Sequence, residues 1–377
     1  MRDDFDIPED VTYLNCAYIS PLARTVAEAG ITGVRRKSQP WLIEPRDFFT
    51  ETDVARNLFA QLINARQQDI SIAPSVSYGM GIACRNLPSP ESRPVLVLGE
   101  QFPSNVYPWL RYCKEHRCKL ITVNPLKSQS WTDAVIDTLE SIDVAVAALP
   151  HCHWTDGALL DLETIAMLCR HRGTQLVLDV TQSLGALALD IDKIKPAFLV
   201  CASYKWLLGP YSLSFVYAAP EFHHGEPLED AWITRRNAHD FRNLVHYDTN
   251  LRDDASRFDV GETANFALMP MAIRALELIL KWDPKRIQKT LAGYTLTIEQ
   301  AARGLGLVAS SIPARAGHFL GIRFPGGLPD HSLEHFSKRN IHISIRGDSI
   351  RVTPHLYNND TDSIRFIEAL TELASTD

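Results

Sequence analysis

The sequence predicts an α/β fold in which a mostly parallel sheet carries helices on both faces, followed by a smaller α+β region. Three observations predict it. Short β-branched runs are apolar almost without interruption rather than alternating, which is the pattern of strands covered on both faces. Amphipathic segments of helical length lie between them. After about residue 220 that alternation stops and the composition turns polar.

In chain order, the strands read at ISIAPSV (70–76), PVLVLGE (94–100), KLITVNP (119–125), DVAVAALP (143–150), QLVLDV (175–180) and AFLVCAS (197–203). WTDAVIDTLESI (131–142) and DLETIAMLCRHRG (161–173) read as intervening helices, the second ending in basic residues and a glycine, a good stop signal. Cys113 and Cys118 read as parts of one further helix. Residues 221–262 are rich in Arg, Asp and Asn with little periodicity, and 265–282 then reads as one long apolar helix. Strands follow at 318–325, 341–347 and 348–355, and a terminal helix at 363–374.

Bulk properties bound the function. The 377 residues are 45% hydrophobic and 22% charged, an ordinary globular balance with room for a large core. At roughly 100–200 residues per domain, two or three domains are expected. The net charge of −7 argues against nucleic acid or an anionic membrane surface as partner, since both select clustered Lys and Arg. Seven irregularly spaced cysteines point to a reduced, intracellular protein. The acidic start MRDDFDIPED lacks a signal-peptide core, and no apolar run reaches the ~18 residues of a membrane span, so the expected location is the cytoplasm. His151-Cys152-His153 has no partner motif elsewhere, and no metal site is expected.

Three elements at strand ends carry the chemistry, because ligands of open α/β sheets bind outside the carboxyl ends of the strands. Asp179 follows the strand QLVL, where a carboxylate is costly unless it meets a cation; a helix cap or a structural ion pair is the plainer alternative. Lys205, in Ser203-Tyr204-Lys205-Trp206, follows the strand AFLVCA. A lysine in apolar surroundings loses its charge readily, and a neutral amine adds to an aldehyde; a lysine snorkelling from a strand end is the alternative. Ala73-Pro-Ser75-Val-Ser77-Tyr-Gly79 lies between a strand and a helix, where free backbone N–H groups favour an anion, although Ser caps are common without one. Together these supply an anion site, a carboxylate and an amine, the three grips that pyridoxal phosphate (PLP) needs.

On these motifs the sequence resembles the class V aminotransferases of PLP fold type I, the superfamily of cysteine desulfurases, kynureninases and isopenicillin N epimerase-like proteins. The resemblance covers essentially the whole chain. It is carried by YLNCAYISPL (13–22), EQFPSNVYPW (100–109), HWTDGALLDL (153–162), LVLDVTQSLGA (176–186), SYKWLLGP (203–210), RFDVGETANF (257–266) and IRVTPHLYNN (350–359). It implies a large domain with a mostly parallel, seven-stranded-type sheet over residues 16–255, and a small α+β domain built from 1–15 and 256–377.

It also implies roles. Lys205 is the Schiff-base lysine, Asp179 the partner of the pyridine nitrogen, Gln182 a contact of the ring oxygen and Phe102 the ring that stacks on the cofactor. Ser75, Val76, Ser203 and Tyr204 belong to the phosphate cup, with Trp232 and Thr263 completing it from the other subunit of a homodimer. Arg351 forks onto the substrate carboxylate, and Tyr18 is open between reaching the substrate and simple packing. Trp154 is open between substrate contact and packing, and Arg346, near Arg351 in sequence, is read as exposed, with a second carboxylate contact as the alternative. The implied activity is transamination of an amino-acid substrate, with epimerisation or a Cβ-lyase reaction, kynureninase-like or on a C–S bond, as alternatives. A persulfide-forming desulfurase is disfavoured, since no Cys follows Cys201 and Phe102 stands where those enzymes carry His. Gln182 departs in turn from the His usual in kynureninases. A nicotinamide-dependent dehydrogenase needs G-x-G-x-x-G, and Gly79-Met-Gly81 lacks the third glycine. A catalytically inactive binding protein on this fold would have no need of Asp179, Lys205 and Arg351 together.

Overall fold

The computed structural model describes residues 1–375. A short strand β1 (Thr12–Tyr13) precedes helices α1 (Arg24–Arg36) and α2 (Asp47–Ile63). Alternation then begins: β2 (Ile70–Ala73), α3 (Val76–Asn86), β3 (Val95–Leu98), α4 (Tyr107–His116), β4 (Leu120–Val123), α5 (Trp131–Ser141), β5 (Val146–Pro150), α6 (Leu162–Arg172), β6 (Gln175–Asp179), the short α7 (Ile191–Ile194) and β7 (Phe198–Ala202). An antiparallel strand β8 (Ser214–Ala218), which the apolar runs read above do not include, completes the sheet.

The sheet has seven strands in the order β2-β8-β7-β6-β5-β3-β4. Strands β7, β6, β5, β3 and β4 are parallel, and β8 runs antiparallel to both of its neighbours. The continuous apolar runs have the expected cause, since successive residues face two different cores. Leu96, Leu98, Leu149, Leu178 and Leu199 pack on one side, with α2, α5 and α6. Val95, Val97, Ala148, Val177 and Val200 pack on the other, with α3 and α4. The strand order reverses between β3 and β5: after β3 the chain steps outward to β4, then returns to the opposite side. That reversal opens a crevice at the carboxyl ends.

The segment 221–262 folds as isolated 3₁₀ turns, as its lack of periodicity suggests. It leads to α8 (Leu268–Trp282), whose apolar face joins the core on the α2 side, and to α9 (Pro284–Gly304). A second sheet then forms from β9 (Val308–Ala309), β10 (Leu320–Arg323) and a later hairpin, with α10 (Ser332–Ser337) and β11 (Ile341–His342) inserted before it. The hairpin comprises β12 (Ser344–Arg346) and β13 (Ser349–Val352), and α11 (Asp360–Ala374) closes the described chain. The sheet order is β12-β13-β10-β9, and its core includes Leu320, Ile322, Ile350, Phe336 and Phe366.

Two expectations need correction. Residues 341–347 are not one strand: β11 pairs in parallel with β1, and after Ile343 the chain turns into β12, which pairs with β13. Cys118 is not helical, because Arg117 adopts a left-handed φ of 54° and ends α4. The pairing of β1 with β11 draws the N-terminal segment across the molecule. Leu14 packs in the core of the second sheet, while Cys16 and Ala17 pack in that of the first. Among the described residues no helix is long and apolar enough to cross a membrane.

Candidate active site

The carboxyl ends of β3, β5, β6 and β7 surround a cavity of about 310 Å³. That lies at the lower end of the roughly 300–1,000 Å³ common for small-molecule sites. At one end is the start of α3. Ser75 caps it, its Oγ accepting from the Tyr78 N–H at 3.2 Å and lying 3.0 Å from Ser77 Oγ. Gly79 lets this helix approach the sheet closely, since a Cβ there would lie 2.8 Å from Val200. The unsatisfied N–H groups of this first turn, with the helix dipole, favour an anion.

Asp179, the last residue of β6, is buried on the cavity wall and accepts a hydrogen bond from the Thr181 N–H at 3.0 Å. Burial raises its pKa, opposed by the Thr181 hydrogen bonds and by the charge of Lys205. Lys205 follows β7 on the same wall and is 6% exposed. Its Nζ sits 5.2 Å from the centre of the Phe102 ring and 5.5 Å from that of Tyr204. Burial lowers its pKa to about 8; Asp179 works against the shift, and Arg351 and Arg346 add to it. The amine therefore loses its proton far more readily than a free lysine, with a minor neutral fraction near pH 7 that grows through about pH 8.

Gln182 is held on three sides. Its Nε2 donates to the Ala17 carbonyl at 3.1 Å, and its Oε1 accepts from Trp206 Nε1 at 3.1 Å. Its own carbonyl accepts from His318 Nε2 at 2.8 Å. Burial lowers the His318 pKa to about 3, so this ring is neutral with its proton on Nε2.

A second cavity of about 310 Å³ shares Phe102, Trp154, Gln182, Tyr204, Lys205 and Tyr211 with the first, and adds Tyr18, Arg346 and Arg351. Arg351 is 1% exposed. Its Nε donates to Ser344 Oγ at 2.9 Å and its Nη1 to the Trp154 carbonyl at 2.9 Å, while its Nη2 is buried without a partner. Burial, reinforced by Arg346, lowers its pKa to about 9.

The structure therefore brings Ser75, Val76, Phe102, Asp179, Gln182, Tyr204 and Lys205 to the first cavity, and Tyr18 and Arg351 to the second. Ser203 is absent from the wall: it is 1% exposed, and its Oγ would lie 1.9 Å from a Cβ at Gly209. The cause is the fold-back of loop 206–213, which packs Gly209 onto Ser203 and hydrogen-bonds its backbone. Trp232 and Thr263 also do not line this chain's own cavity. Trp232 packs on Phe48, Phe49 and Phe241, and Thr263 is buried with an unpartnered Oγ1.

The expectation that Arg346 is exposed is overturned. It is half-buried, lines the second cavity and lies 5.6 Å from the centre of the Trp154 ring. Ser344 pairs with Arg351 across the hairpin, and Arg346, two residues on, shares that face. Trp154 lies at the junction of both cavities, edge-on to Phe102 at 5.3 Å.

Gln101, Thr181, Tyr211, Ser212 and Ser214 also line the first cavity and had no signal as site residues. Ser77 was visible as part of the turn before α3. Ser212 and Ser214 reach the cavity because loop 206–213 returns the chain to β8 beside β7, with the Ser203 N–H bonding the Leu213 carbonyl at 3.0 Å.

These groups fit pyridoxal phosphate: a helix start for the phosphate, a buried carboxylate, a depressed amine and an aromatic face, with an unsatisfied guanidinium beside them. The comparisons with known proteins agree. A family model, aminotransferase class-V, matches residues 46–362. The chain is similar to an uncharacterized aminotransferase, YcbU, of Bacillus subtilis (25% identical, covering 86% of this chain and 84% of that one). It is also similar to an isopenicillin N epimerase of Amycolatopsis lactamdurans (24%, 99% and 98%) and a kynureninase of Aspergillus fumigatus (23%, 93% and 75%).

Among solved structures, an apo cysteine desulfurase from Thermococcus onnurineus superposes with TM-score 0.84 at 18% identity, covering 100% of this chain and 98% of that one. A variant of C-DES with glycine covalently linked to its PLP cofactor gives 0.88 at 15%, with 99% of each chain covered. At these identities the superpositions establish the fold, PLP fold type I with a mainly parallel central sheet. The chain belongs to the aminotransferase class-V family, whose cofactor, pyridoxal 5′-phosphate, its cavity fits.

Proposed function

We propose that the protein is a PLP-dependent aminotransferase acting at Cα of an amino acid. One observation carries this reading: Lys205, Asp179 and the start of α3 line a single cavity. When bound, PLP supplies an electron sink for the pair left on Cα after proton loss. Lys205 would hold the cofactor aldehyde, Asp179 the ring nitrogen and the α3 turn the phosphate. Once released, Lys205 Nζ takes the Cα proton and returns it, and its depressed pKa suits both directions. Arg351 holds the substrate carboxylate and so fixes which bond at Cα faces Lys205.

Transamination needs one base on one face, whereas inversion of Cα also needs an acid on the other. Among the residues lining the two cavities Lys205 is the sole amine and no histidine occurs, and the phenols of Tyr18, Tyr204 and Tyr211 are the groups that could serve as the second acid, so the reading as a transaminase rests on the amino-acid panel below. Persulfide transfer is disfavoured on the cysteines. Cys152, which lines the first cavity, and Cys16 and Cys201, which interact with Lys205, are buried, and burial drives each thiol pKa up, away from the reactive thiolate. All seven cysteines are free, in keeping with a reducing compartment such as the cytoplasm.

We also assign Trp232 and Thr263 to a homodimer interface. In support, a cavity of about 540 Å³ is lined by Pro40, Phe48, Trp232 and Phe266, and Trp41, next to Pro40 in sequence, is exposed. Sedimentation should give twice the chain mass.

The decisive test is borohydride reduction of the purified yellow protein, followed by peptide mapping. Cofactor fixed on Lys205 supports the reading, and colourless protein with nothing fixed refutes it. A panel of amino acids scored for keto acid, inverted stereochemistry and released pyruvate or ammonia then separates transamination from epimerisation and elimination.

A further inference from the structure

Two guanidinium groups converge on the second cavity, and neither has an anionic partner. Arg351 spends Nε and Nη1 on Ser344 and Trp154, leaving Nη2 buried and unsatisfied. Arg346 donates only to the neighbouring Ile345 carbonyl. Among the described residues neither forms an ion pair with Asp or Glu, although other Arg and Lys side chains do so widely, Arg315 with Glu299 and Arg56 with Asp259 even in the interior. The acids beside the hairpin are engaged otherwise: Asp156 and Asp348 both pair with Arg323. Asp179 faces the other cavity.

The two cations are held apart by design of the hairpin. Arg346 and Arg351 are diagonal neighbours on one face of an antiparallel pair, about 7–8 Å apart at the backbone. The Trp154 ring lies against both, 5.6 Å from one guanidinium carbon and 5.8 Å from the other. Cation–π contact and sheet pairing thus hold each group in place without neutralising it. Two half-buried or buried positive charges in one small chamber repel each other, an arrangement that an incoming anion relieves. One carboxylate satisfies the open Nη2 side of Arg351; the second guanidinium is left for a second anion.

Resting on the reading of this cavity as the substrate chamber, we propose that the substrate is an amino acid with an acidic side chain, its α-carboxylate on Arg351 and its side-chain anion on Arg346. Arg346 is then a specificity-determining residue rather than a further grip on the same carboxylate. The geometry requires no contact of the second anion with the cofactor, so binding can be read without turnover.

The test is calorimetric titration of the purified protein with glutarate and with butyrate, which differ by one terminal carboxylate. Glutarate is expected to bind about tenfold to a hundredfold more tightly. R346M should remove most of that difference, and R346K should restore part of it. Equal affinities of the native protein for the two acids would overturn the proposal, with no variant needed. A preference that survives in folded R346M, checked by circular dichroism, would overturn it too. If PLP is fixed on Lys205 yet the two acids bind alike, this inference fails alone. If the diacid preference holds and depends on Arg346 in protein that never takes up cofactor, the two-anion site stands and the cofactor reading fails.

Discussion

The site is assembled from two regions with opposite electrostatic character. The strand ends of the seven-stranded sheet supply a buried carboxylate, Asp179, and a buried amine, Lys205, each tempering the burial shift of the other. The β12–β13 hairpin of the second sheet supplies two guanidiniums and no acid. The first region balances its own charge; the second awaits charge from outside. The first region thus carries charges of both signs before any ligand arrives, although Gln101 Nε2 beside them is buried without a partner. An unbalanced one selects its ligand by sign, which is how positioned charges confer specificity.

The comparison can be broken most severely at Lys205. K205A should reduce turnover on the order of 10²–10⁴-fold and abolish borohydride fixation of PLP, read by mass spectrometry of the peptide. D179N removes the carboxylate and leaves its shape. Loss of one charge-assisted hydrogen bond, about 1.5–3 kcal/mol, should weaken cofactor binding tenfold to a hundredfold by equilibrium dialysis. Because the Asp179 charge raises the Lys205 pKa, this variant should also titrate below the native value of about 8.

On the hairpin side, R351K keeps the charge and loses the fork. It should raise KM for the amino acid roughly tenfold with a smaller effect on kcat, in steady-state kinetics.

The two regions are coupled through Lys205, and pH sharpens that link. Its neutral form reacts, and its pKa lies near 8 rather than 10.5, so PLP capture by the apo protein should rise with pH through about 8 and then level off. Arg346 and Arg351 contribute to that depression, so R346M should move the midpoint upward. A stopped-flow pH profile checks both. The sign for stability follows. The native state holds fewer protons than the unfolded chain between these values, so Lys205 opposes folding below about 8 and ceases to do so above 10.5.

The smallest effect is expected at Ser75. S75A should cost about 1 kcal/mol of stability in thermal unfolding, through loss of the cap on α3.

How much could be read in advance differs between the same two regions. Asp179 and Lys205 were visible because each ends an apolar run, and a run buried on both faces leaves its last polar residue at the rim. Strand β8 was missed because its five residues follow a loop with no helix before it, outside the alternation of strand and helix. The fate of Ser203 depends on how that same loop folds back, which no local pattern records. Arg346 was misplaced for a related reason. Its side faces Arg351 only if the turn between them has even parity, and hairpin register is fixed by turn geometry rather than by hydrophobic period. Arg351 itself came from family resemblance, since an arginine in a short amphipathic strand has no physical mark of its own.

The parallel pairing of β1 with β11 has a consequence for biogenesis. Residues 12–13 find their partners at 341–342, and Asn15 bridges to Thr353. On a translating ribosome the large sheet can assemble early and take up Ala17 and Ser20 through Gln182 and Tyr204, yet residues 12–15 stay without their pairing partners until more than three hundred further residues have emerged. Contacts of such long sequence separation form late. The Asp179 and Lys205 side of the site is therefore synthesised, and can be assembled, well before the hairpin that brings Arg346 and Arg351 to it.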